Sequence, residues 1–195
     1  MNTRQAMTDG AAAIATALRD IEGVDLGSPT PCAEFDLETL VNHALGTTTA
    51  LARLARKESL DPDDPWGSKT DDTAGDWPNR LADRLEATAA AWDDPAAWTG
   101  TLDLGGGGDQ PAPTIGEMTF VEVMVHGWDV ARAAGQRPDV TDAVGAELLH
   151  AVTGSADLGR QMGAYGPEIE VKPDASDFEK ALGVAGRDPN WSPDS

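Results

Sequence analysis

Cysteine is nearly missing from this chain: Cys32 stands alone among 195 residues. One thiol cannot form an internal disulfide, which fits a reducing compartment, and a cytoplasmic location is expected. Basic residues are few, 14 Lys and Arg against 34 Asp and Glu, for a formal net charge of −20. A surface so acidic repels phosphate backbones and anionic lipid, which argues against nucleic-acid and membrane partners. No apolar run approaches the ~18 residues of a membrane-spanning helix. The N-terminus also lacks the basic region and apolar core of a signal peptide. Histidine is scarce too, limited to His43, His126 and His150. Any site built on imidazoles must draw on these three.

What the chain does have is a hydrophobic content of 40%, enough for a globular protein with a sizeable core. The expected organisation is one domain over 1–195, with a helical bundle over about 3–155 and a short C-terminal appendage over about 156–195. Apolar spacing predicts helices over Ala6–Ile21, Asp36–Arg56 with Asp36 as N-cap, and about Pro78–Trp92. A fourth is expected from Thr114, where Thr114 and Glu117 have capping-box spacing, to Gly135. A fifth is expected over Thr141–Thr153, and Ser176 with Glu179 predicts a last short helix to about Ala185. Lys57–Gly75 reads as a long exposed connection. Trp98–Leu104 suggests a short extended piece before a loop made of Gly105–Gly108 followed by Asp109, Pro111 and Pro113, and Ile169 and Val171 hint at a strand. The glycine run has no following Lys-Ser/Thr, so it is not a phosphate cradle. This pattern predicts an all-α antiparallel four-helix bundle with a long crossover between helices 2 and 3.

The segment that bears on chemistry is Phe120–Val130, FVEVMVHGWDV, apolar but for Glu122, His126 and Asp129. Such a helix is buried on several sides, and a carboxylate inside it must be answered by a charge or a metal. Glu122 and His126 are four apart, so they stack on one face with Cβ atoms ~6 Å apart. His43 lies on the flank of the second helix's apolar stripe and can reach between helices, so it reads either as a structural histidine or as a candidate third ligand for a metal site. His150 has no ligand-type residue four positions away. Asp129 has two readings: a carboxylate orienting a ligand imidazole, or an ion-pair partner of Arg132. Trp128 reads as core packing and Cys32 as a small buried apolar residue in preference to a catalytic thiol.

Three stretches carry a family resemblance. Thr30–Gly46 (TPCAEFDLETLVNHALG) and Glu122–Gly135 (EVMVHGWDVARAAG) resemble two signatures of the actinobacterial DinB-like family related to mycothiol-dependent maleylpyruvate isomerase. The tail Tyr165–Trp191 is similar to a closing motif of its single-domain members. The resemblance implies a DinB-like bundle holding a divalent metal, zinc first with nickel or iron as alternatives, on His43, Glu122 and His126. It also implies mycothiol as a thiol cofactor. At 195 residues the additional C-terminal domain of the isomerase is not expected here, so that domain's substrate contacts are not carried over. The resulting expectation is a metal-dependent thiol isomerase or S-transferase acting on a small electrophile, as a monomer or homodimer. A metal-binding bundle without catalysis and a purely structural bundle are the other readings.

Overall fold

The structure is a computed structural model that describes residues 1–69, 71–105 and 108–193. Four helices form the bundle: α1 (Thr3–Arg19), α2 (Leu37–Ala55), α3 (Trp77–Trp92) and α4 (Ala112–Ala133). Each of α1 and α2 packs against both α3 and α4, so α1 and α2 lie diagonally. Side-chain pairs give the directions. Arg4 at the start of α1 bonds the Asp93 carbonyl after α3, and Arg19 at its end reaches Asp83 and Glu86, so these two helices are antiparallel. Thr88 and Trp92 donate in order to the carbonyls of Thr48 and Leu51, so α2 and α3 run the same way. Gly10 faces Met124 and Gly127 faces Ile14, which sets α4 parallel to α1 and antiparallel to α2. The fold is thus the expected four-helix bundle of antiparallel pairs. Its crossover is long because the chain must travel back along the bundle before α3 can repeat the direction of α2.

That crossover is held hard against α2. A Cβ on Gly46 would sit 2.5 Å from the Trp66 carbonyl oxygen and 2.7 Å from that of Gly67. Alanine normally favours a helix interior by about 1 kcal/mol over glycine. Here backbone occupies the space, so Gly46→Ala is expected to destabilise by about 1–3 kcal/mol. A denaturant midpoint that rises instead would show the strap is not seated there.

The helix starts follow ordinary capping chemistry. Asn2, Asp36 and Thr141 accept from backbone amides at the first turns of α1, α2 and the fifth helix, α5 (Asp142–Gln161). The Thr114 capping box does not form. Helix α4 begins two residues earlier at Ala112, with Pro111 before it and no side-chain cap. The reason is a hairpin: β1 (Thr101–Asp103) pairs antiparallel with β2 (Asp109–Pro111), Leu102 opposite Gln110. Ala112 N–H donates to the Gly100 carbonyl, which satisfies one amide that a cap would otherwise serve. The extended piece over Trp98–Leu104 is therefore β1 preceded by a 3-10 turn at Pro95–Trp98. Part of what reads as loop is its partner strand; Gly106 and Gly107 of the glycine run lie outside the described residues.

Helix α5 (Asp142–Gln161) continues eight residues beyond the expected end at Thr153. Gly154 does not stop it, and Gly159 is used for contact: a Cβ there would lie 2.7 Å from the Tyr165 ring. Among the described residues Ile169 and Val171 form no strand; Ile169 makes one backbone bond to the Gly183 carbonyl. The last helix, α6 (Asp177–Val184), starts with the expected Ser176/Glu179 capping box and packs on α5. Among the described residues no helix is long and apolar enough to cross a membrane.

Candidate metal centre

Helix α4 is buried on nearly all sides, with Val121, Val123, Met124, Val125, Trp128 and Val130 in the core. Trp128 is core packing, as its sequence setting suggested. Glu122 and His126 project from this helix toward His43 of α2, and both are half-buried. His43 comes from the second turn of α2, whose Leu40, Val41 and Ala44 are packed inward. Its Nε2 lies 3.0 Å from Glu122 Oε1, and His126 Nε2 lies 3.9 Å from Glu122 Oε2. The two imidazoles meet edge to face with centroids 5.1 Å apart. One ligand atom from each of the three residues lies within 4.8 Å of the others. Ligands bound tetrahedrally at about 2.0–2.1 Å stand about 3.3–3.4 Å apart, so the donor set fits a divalent ion with small side-chain shifts. His43 keeps 36% of its side-chain surface exposed, leaving this end of the cluster open to solvent. His150 is exposed on α5 and takes no part.

Electrostatics bind the cluster together. Burial pushes the Glu122 carboxyl up, but His126, His43 and Arg187 outweigh it and hold it below its ordinary value. Burial pulls His126 down, but Glu122 and Asp129 outweigh it and raise it. The pair is thus charged by each other.

Behind His126 stands Asp129, fully buried, its Oδ2 3.1 Å from His126 Nδ1. Its cation is not Arg132, one of the two sequence readings. Arg132 turns away to the carbonyls of Gln136 and Trp191. The partner is Arg187, which is 58 residues further along and donates from Nη2 to Asp129 Oδ2 at 3.1 Å. Sequence reasoning missed Arg187. The available signal was the buried carboxylate itself, which needs a cation, and the arginine inside the tail motif.

The Thr30–Asp36 loop completes the setting. Thr30 donates to the carbonyls of Cys32 and Phe35, and the Phe35 ring packs on both His43 and His126, centroids 5.5 and 6.5 Å away. A cleft of about 450 Å³ is lined by Pro29, Thr30, Glu34, Phe35 and Asp36. Cys32, half-buried, stands close enough to His126 and Asp129 to make a second candidate cluster. That cluster suits a cation poorly, because Asp129 is already committed to Arg187. Burial also pushes the Cys32 thiol up, with Arg187 only partly offsetting it.

Residues 7–131 match the family described as the mycothiol maleylpyruvate isomerase N-terminal domain. The chain belongs to this family. The matched span contains α2, most of α4 and all three converging residues. Two uncharacterized proteins of Mycobacterium tuberculosis, MT0763 and Rv0738, are each 29% identical over 139 residues, covering 71% of this chain and 71% of their own. Among solved structures, the mycothiol-dependent maleylpyruvate isomerase superposes with a TM-score of 0.55 over 82% of this chain and 73% of its own, at 17% identity. That likeness concerns the fold, and it agrees with the bundle described above.

Proposed function

We propose that this family member is a divalent-metal-dependent thiol enzyme, an isomerase or S-transferase that uses mycothiol or a similar small thiol on a small electrophile. The observation that carries the reading is the meeting of His43, Glu122 and His126 at a partly open end of the bundle. His43, Glu122 and His126 would hold a divalent ion with room for a further ligand, and the chemistry the ion would supply is a thiol held deprotonated at neutral pH. Zinc suits this donor set, and nickel or iron can also take it.

The chain's own residues have separable tasks. Glu122 supplies the negative charge of the donor set, and His43 closes it from the opposite helix. Asp129 holds a proton on His126 Nδ1 and so leaves Nε2 as the donor atom facing Glu122. Phe35 walls one side of the imidazoles and shares its other surroundings with the cleft, a setting for an apolar part of the substrate. Addition of the thiol sulfur to an activated cis double bond, rotation and elimination of the same thiol give isomerisation. Retention of the sulfur gives a transferase product. The solved neighbour's mycothiol dependence supports mycothiol as the thiol.

The test is incubation of metal-replete protein with mycothiol and a panel of cis-unsaturated acids and other soft electrophiles. Turnover is expected only with thiol and metal together, with loss on chelation and recovery on adding zinc. Metal binding with neither turnover nor thiol affinity would leave a metal-binding bundle without catalysis.

A further inference from the structure

The C-terminal tail delivers one side chain into the bundle, and local sequence chemistry determines how. Helix α6 ends in a glycine-terminated cap: Gly186 N–H donates to the Gly183 carbonyl and Arg187 N–H to the Leu182 carbonyl, the pairing of a Schellman motif. Gly186 adopts φ +81°, and a Cβ there would also lie 2.7 Å from the Gly166 backbone, so glycine is required twice over. The reversal turns Arg187 inward, where it is 4% exposed. Its Nη1 is fixed by the Ala185 carbonyl at 2.9 Å. Its Nε and Nη2 grip Asp129: Nη2 is 3.1 Å from Oδ2, and Nε is 3.3 Å from Oδ2 and 3.4 Å from Oδ1.

We propose that Arg187 is a positioning residue of the metal centre. Clamped on Asp129, it fixes the rotamer of the carboxylate that orients His126, so the tail is a working part of the site. This inference rests on the metal reading above. The same Asp129 Oδ2 accepts from both Arg187 Nη2 and His126 Nδ1, so any swing of the carboxylate is passed on to the imidazole. A planar guanidinium restricts that swing through its fixed fork of donors. A lysine ammonium supplies charge without the fork. Partners that orient a ligand imidazole in this way typically account for 10–100-fold in metal affinity.

The experiment compares full-length wild type, Arg187→Lys and Arg187→Met. Each is stripped of metal, checked for folding by circular dichroism and titrated with zinc against a chromogenic chelator. Each is then loaded with cobalt(II) for its visible absorption spectrum. Arg187→Met is expected to bind zinc 10–100-fold more weakly with an altered cobalt spectrum, and Arg187→Lys to lie between. If Arg187→Met does not fold, Arg187→Lys alone must show weakened affinity and a changed spectrum. Wild-type affinity and spectrum in Arg187→Lys would overturn the positioning role, since charge alone would then suffice. If wild type itself takes up no metal, the metal reading and this inference fall together. A tight wild type with unaffected variants removes only the inference.

Discussion

Replacing His126 by alanine is expected to weaken zinc binding by on the order of 100-fold or more while the helices remain folded. The binding free energy of a structural zinc site, about 10–16 kcal/mol, is shared among about four ligands, and losing one removes a few kcal/mol. The lost ring also leaves Asp129 facing only Arg187, an ion pair already complete without it, so the core on that side stays satisfied. Chelator competition reads the loss directly. The same variant reports on pH. Since the ion must displace a proton from an imidazole raised by Glu122 and Asp129 against burial, wild-type affinity should fall as pH drops through that range, with proton release on binding. In protein stripped of metal the signs differ. The stabilising share of Glu122 is complete above its ordinary 4.5 and disappears as pH falls through its lowered value. That of His126 is complete below its ordinary 6.5 and disappears as pH rises through its raised one. Stripped wild type therefore gains most from this pair between pH 4.5 and 6.5, and His126→Ala should remove the His126 share of that advantage while His43 and Arg187 keep part of the Glu122 share.

Trp92→Ala should be the most damaging single change to the fold. Trp92 is 0% exposed. Its indole N–H donates to the Leu51 carbonyl at 3.1 Å, tying α3 to the helix that carries His43. Its ring meets Trp98 edge to face at 5.3 Å, and Trp98 donates back to the Trp92 carbonyl. Trp98 in turn covers Gly116 of α4, where a Cβ would lie 2.5 Å from its ring. Removing the indole leaves a cavity between three elements at once, a loss of about 3–5 kcal/mol for a buried tryptophan. At about 2–4 °C per kcal/mol for a chain of this size, the thermal midpoint should fall by roughly 6–20 °C. A fall of under about 2 °C would mean the site collapses freely and Trp92 does not knit the bundle.

The sequence shows the bundle most clearly where one residue carries a local signal. Asp36 caps α2 and the apolar stripe of Leu40, Val41, Ala44, Thr48 and Leu51 follows at helical spacing, so that helix and the placement of His43 were readable. Glu122 and His126 were readable as a pair because four residues on one helix fix their geometry. The misreadings come from non-local partners. Thr114 had the right spacing for a cap, but the hairpin places Gly100 where it can take the Ala112 amide. The fifth helix reads as ending at Thr153, yet α5 continues to Gln161, and the bare face of Gly159 admits the Tyr165 ring. Asp129 showed a nearer cation in Arg132 at helical spacing, while its partner arrives from a tail that only the glycine cap at Gly186 turns inward. Phe35 carries no local signal of a task, and only the fold lays it across both imidazoles.

X-ray absorption at the zinc edge of tag-free, thiol-free protein addresses the central claim most directly. The account predicts about one ion per chain, with two imidazoles and oxygen donors at about 2.0–2.2 Å and no sulfur. A sulfur neighbour at about 2.3 Å would place the ion on Cys32 instead, and no stoichiometric ion would leave His43, Glu122 and His126 as a buried polar cluster alone.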